Sequence, residues 1–128
     1  RPDASNNPER QRRLRWMLYT NRIKTLREFF ADDPYAALER DREDLLDYYA
    51  QAWAFATFLV EADSATRAGV GQLLADALHG RMRAKMRSAP RQLSVDERIL
   101  HTWIDTDIDA LDLRFQDWAR QRVSRRRR

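Results

Sequence analysis

Two histidines, a set of alternating aspartates and two adjacent tyrosines are the residues of this chain whose types and spacing could do chemistry. His79 and His101 are the only histidines, and neither has a second ligand one helical turn away. A zinc site needs three or four converging ligands, so the sequence offers no zinc set. His79, just before Gly80, reads as a helix-end residue. Asp105, Asp107 and Asp109 have the spacing that opens a calcium loop. Such a loop needs glycine at its sixth position and glutamate at its twelfth, and here those positions hold Ala110 and Gln116. The three acids read instead as a helix start, facing the positive end of its dipole. There is no cysteine, hence no disulfide framework and no thiolate ligand. No glycine-rich phosphate loop is present, and the serines lack a nucleophile's surroundings.

Tyr48 and Tyr49 stand at the start of "DYYAQAWAFATFLVEA", the most apolar run in the chain. Each carries a phenol that could donate a hydrogen bond to a reacting group. Each could equally be a core aromatic of a packed helix. Basic residues gather in two places. Arg10, Arg12, Arg13, Arg15, Arg22 and Lys24 surround Trp16 and Tyr19, and Arg81, Arg83, Lys85, Arg87 and Arg91 form a second cluster. Such sets can bind phosphates. The net charge is +4, however, and the four arginines Arg125 to Arg128 account for all of it. Nucleic-acid binding is therefore the weaker reading of the whole chain.

These residues must be positioned by helices. The pattern is helical almost throughout, with three glycines and no alternating run. Asn7-Pro8-Glu9 is a helix start, and Leu14, Met17 and Leu18 make the first apolar face. Thr25 and Glu28, then Ser94 and Glu97, stand at capping-box spacing. Asp33-Pro34 starts a further helix. The long central helix carries Tyr48, Tyr49, Ala52, Phe55, Ala56, Leu59 and Val60 at steps of three and four, with Trp53 and Phe58 widening the stripe. The next has Val70, Leu73, Leu74, Ala77 and Leu78, ending at Gly80. Residues 81–92 read as a basic connector. Val95, Ile99 and Trp103 line the helix after it, and Ile108, Leu111, Phe115 and Trp118 line the last. The sum is one all-α domain of five to seven helices over residues 8–123. Residues 1–7 read as a disordered or linker start and 124–128 as a basic tail. A length of 128 residues suits one domain. No apolar run reaches the ~18 residues of a membrane span, no cleavable signal peptide is visible, and a first residue other than Met reads as a piece of a longer protein.

The segment "LREFFADDPYAALERDREDLLDYYAQAWAFATFLVE" resembles the C-terminal helical half of gluzincin-type bacterial zinc metallopeptidases, closest to peptidase MA-like domains of uncharacterised function. The family phrase is Tyr-x-Gln-Ala-Trp-Ala opening a long helix that ends in Phe-Leu. Here it is Tyr49, Gln51, Ala52, Trp53 and Ala54, with Phe58 and Leu59 beyond. A last helix of the type "LRFQDWARQRV" fits as well, so the resemblance runs from about Pro8 to Val123. It implies a subdomain forming one wall of a substrate cleft, inactive on its own, with Tyr49 as the oxyanion donor. It also implies that zinc, a peptide or protein substrate, and the N-terminal catalytic half are partners in a full-length parent. Export of that parent follows only by analogy. The departure is large: the chain has no His-Glu-x-x-His, so this chain alone holds no cofactor. An independent helical interaction module is the alternative.

Overall fold

Short polar residues set the helix starts. Among the described residues, 7–125 of this computed structural model with side chains through Ser124, there are eight helices and no strand. They are α1 (Pro8–Tyr19), α2 (Leu26–Phe30), α3 (Pro34–Arg40), α4 (Arg42–Glu61), α5 (Ser64–Leu78), α6 (Met82–Met86), α7 (Val95–Trp103) and α8 (Ile108–Arg125). Asn7, Asp33, Asp41, Asp63 and Asp107 each accept a backbone N–H three residues on, at 2.7–3.1 Å. Thr25 and Glu28 complete a capping box. Ser94 caps the Glu97 N–H at 3.2 Å, but the Glu97 carboxylate turns to Arg27 instead of closing a second box.

Helices α1, α4 and α8 meet around one core. Phe55 and Phe58 of α4 stand edge-on to Phe115 of α8 at 5.3 and 5.6 Å, and Leu14 of α1 is fully buried beside them. Edge-to-face rings add to their area burial. Helix α3 lies on α4 through Ala37, and α2 bridges to α7 and α8. Helices α5, α6 and α7 form a second cluster, tied by Asp76. This carboxylate has no exposed surface and accepts from Trp103 Nε1 at 2.9 Å, Lys85 at 2.8 Å, Gln72 at 3.0 Å and Arg81 at 3.2 Å.

Several faces are turned from where the pattern puts them. In α4 the buried line runs through Asp47, Ala50, Gln51, Ala54 and Phe58, so Tyr49, Ala56 and Val60 look outward. In α5 the expected stripe fails: Leu74 is 64% and Leu78 83% exposed, Ala77 is exposed, and the side facing the protein carries Thr66, Gly69 and Asp76. The reason is polar anchoring. Asp76 and the close approach at Gly69 fix the rotation of α5 against α7. In α7, Val95 is exposed while Leu100 and Trp103 are buried. The count of eight exceeds the expected five to seven because two elements have only five residues. One of them, α6, forms inside the expected connector, where Arg98 donates to the Met86 carbonyl at 3.0 Å and Lys85 reaches Asp76. Helix α8 runs through Ser124 to Arg125, past the expected tail boundary. The expected linker up to residue 6 and the tail from residue 126 lie outside the described residues.

Gly69 yields a test of sign. A Cβ built there would stand 2.2 Å from the Trp103 carbonyl oxygen. Helix propensity alone favours alanine over glycine by about 1 kcal/mol. Gly69→Ala should nevertheless destabilise the fold, since backbone must move. A urea midpoint below wild type is expected, and a higher midpoint would show that α5 and α7 do not cross there.

Candidate functional site on helix α4

The site is built from two buried polar side chains. Gln51 is 1% exposed. Its Oε1 accepts the Lys24 N–H at 3.0 Å and its Nε2 donates to the Lys24 carbonyl at 2.8 Å. One amide thus satisfies both backbone groups of a residue in the α1–α2 connection, which buried peptide units require. One turn earlier, Asp47 accepts from Arg13 Nε at 2.8 Å and from Arg22, whose Nε lies at 2.8 Å. Arg13 also holds the Glu43 carboxylate at 2.6 Å. Burial pulls the Arg13 guanidinium toward its neutral form, but the bonds to Glu43 and Asp47 outweigh it and leave its pKa raised. The Arg22 pKa is raised chiefly by its bond to Asp47. These contacts tie α1 and the segment after it to α4 and lock the rotation of α4.

That rotation separates the two tyrosines. Tyr48 stacks on Phe29 at 5.0 Å and lines a pocket of about 250 Å³ with Met17, Arg22, Lys24 and Gln51. Burial, and then the charge of Asp32, push its phenol above the ordinary tyrosine range. Tyr49 meets Tyr48 edge-on at 5.7 Å and turns the other way. It is 43% exposed and lines a groove of about 340 Å³ between α1 and α4 with Glu9, Arg10, Arg13, Leu46 and Ala50. Its hydroxyl has no hydrogen-bond partner among the described residues. It is the eighth residue of α4, held on a helix and not on a loop. Of the other residues in the phrase, Gln51 and Trp53 are buried and Ala52 is half-buried. Arg122 stands 5.7 Å from the Trp53 ring. The role of Gln51 had one sequence signal, a lone amide in an apolar run, and Asp47 had none until Arg13 and Arg22 came beside it.

The remaining candidates are spread apart. His79 ends α5, its Nδ1 2.8 Å from the Ala75 carbonyl. His101 sits half-buried on α7. Asp105 pairs with Arg114 at 3.1 Å, Asp107 caps α8 and Asp109 pairs with Arg27 at 3.0 Å. Among the described residues no group of three or more histidines, aspartates or glutamates is arranged to hold a metal ion. Nor is any described helix long and apolar enough to cross a membrane. Comparison with protein-family models, curated proteins and solved structures gives no match.

Two carboxylates make the fold sensitive to acid. Bonds from Lys85 and Trp103 hold Asp76 well below the ordinary aspartate value of 3.8, and bonds from Arg40 and Lys24 do the same for Asp32. A folded pKa below the unfolded one gives stability that is full above the unfolded value and is lost as pH falls through the folded one. Urea midpoints should therefore hold from neutral pH to about pH 4 and then fall. Asp76→Asn should lower the midpoint at neutral pH and flatten the acid limb. An unchanged limb would show that Asp76 is not held by these partners.

Proposed function

We propose that this chain is the helical subdomain of a gluzincin-type, peptidase MA-like zinc metallopeptidase, forming one wall of its substrate cleft. The observation that carries the reading is the division of labour within the Tyr-x-Gln-Ala-Trp phrase. Gln51 and Trp53 are spent on the scaffold, while Tyr49 is held out with a free phenol beside a groove. A preorganised O–H aimed at a developing oxyanion contributes ~3 kcal/mol to a transition state. The outer face of α4 supports the same reading. Tyr49, Ala52, Ala56 and Val60 share it with no charge among them, yet among the described residues Tyr49, Ala56 and Val60 stay exposed and Ala52 is only half-buried. A helix apolar on all sides belongs inside a larger body. Zinc and its ligands would belong to the other half of the parent, and none of the chemistry assigned here passes through them.

A second reading, a free-standing interaction module, is favoured by Leu74 and Leu78, exposed one turn apart on α5. The reading frame upstream of Arg1 separates the two: a His-Glu-x-x-His there supports the peptidase. In that longer protein, Tyr49→Phe should lower kcat about 100-fold or more with KM little changed, because the bond forms only in the transition state. Tyr48→Phe, whose ring lines the other pocket, should leave kcat nearly alone. Equal activity of Tyr49→Phe and wild type would reduce Tyr49 to a surface aromatic.

A further inference from the structure

The fold separates the basic residues in and just after the first helix by whether a carboxylate holds them. Arg13 and Arg22 are spent on Asp47 and Glu43, and Lys24 on Asp32. Arg12 and Arg15 are not. Neither has a carboxylate partner among the described residues. Arg15 is under-satisfied: its Nη2 reaches the Val123 carbonyl only at 3.5 Å, and its Nε is desolvated with no acceptor. These two arginines line a shallow concavity of about 370 Å³ on the outer face of α1, together with Trp16 and Tyr19. Tyr19 is 89% and Trp16 42% exposed. The Trp16 ring is fixed in place. Arg13 and Arg22, both held by Asp47, stand 4.7 and 5.0 Å from its centre. Glu9, the acid nearest in sequence, lines the other groove.

We propose that this face of α1 binds single-stranded nucleic acid, Arg12 and Arg15 taking backbone phosphates while Tyr19 and the open part of Trp16 stack on bases. The two guanidiniums supply the sequence-independent charge. The rings supply a flat platform that any base can use. A lipid surface is a poorer match: the Trp16 ring is clamped and cannot turn into a bilayer, and the concavity has no exposed leucine or isoleucine. This inference is independent of the peptidase reading and concerns the chain as it stands.

The test is fluorescence anisotropy with a labelled oligo-dT of about 12 nucleotides, within the range one such site covers. Poly-glutamate and inorganic polyphosphate serve as comparison polyanions, and circular dichroism confirms folding of each variant. Arg12→Gln with Arg15→Gln should weaken oligo-dT binding at least about tenfold and make the slope of log K against log salt shallower by about 1.4, the value for two phosphates on a single strand. Tyr19→Ala should weaken oligo-dT about fivefold or more and leave polyphosphate unchanged, since only bases stack. No binding by wild type would overturn the proposal, as would an unchanged affinity in the double variant. Poly-glutamate or polyphosphate bound as tightly as oligo-dT, with no dependence on Tyr19, would also overturn it and make the face a general anion or acidic-peptide surface.

Discussion

Everything about the placement of Tyr49 depends on one polar line inside an apolar helix. Gln51 and Asp47 occupy the most buried side of α4, one turn apart, and each is satisfied by groups from a different stretch of chain: the Lys24 peptide unit for Gln51, and Arg13 with Arg22 for Asp47. Buried polar groups left without partners cost about 1–3 kcal/mol each, more when charged. Any other rotation of α4 would orphan the two together with their partners. Apolar contacts could not make this choice, because α4 is apolar nearly all round from Leu45 to Val60. Polar specificity decides what hydrophobic burial leaves open.

The same division recurs in the second cluster. Asp76 on α5 gathers Trp103, Lys85, Gln72 and Arg81, and in doing so turns Leu74 and Leu78 to solvent. Burying two leucines instead would gain about 1.5–3 kcal/mol each, but it would strand Asp76 and the Trp103 indole N–H. The exposed apolar faces of α4 and α5 are thus consequences of satisfied carboxylates and amides within the chain. They are also the surfaces on which a larger body or a partner could be assembled.

Much of this was legible in the sequence, and the rest failed for a common reason. Asn7, Thr25, Asp33 and the acids before Ile108 marked helix starts because capping is local: a side chain and an N–H three residues on. The all-α class followed from the period alone. The phase of α4 and α5 did not, because a stripe at steps of three and four says which residues share a face and not whether that face is the covered one. Asp47, Gln51 and Asp76 fixed the phase through partners 25 to 34 residues away or on a neighbouring helix, and no local pattern encodes those. Helix α6 escaped notice for the same reason. Of the candidate site, the phrase from Tyr49 to Trp53 was visible as a phrase. That two of its members would face inward and one outward was not.

The rotation of α4 is the central claim, and the lack of native cysteine makes it directly measurable. Ala56 and Thr57 are sequence neighbours about 100° apart on the helix, Ala56 exposed and Thr57 buried with its hydroxyl on the Trp53 carbonyl at 2.8 Å. Single-cysteine variants Ala56→Cys and Thr57→Cys can be compared by the rate of thiol labelling under native conditions. The account predicts that Cys at 56 reacts near the rate of an unfolded control and that Cys at 57 is slowed by orders of magnitude, in line with access only through opening. The reverse order would place the stripe of Tyr49, Ala52, Ala56 and Val60 in the core and contradict the account.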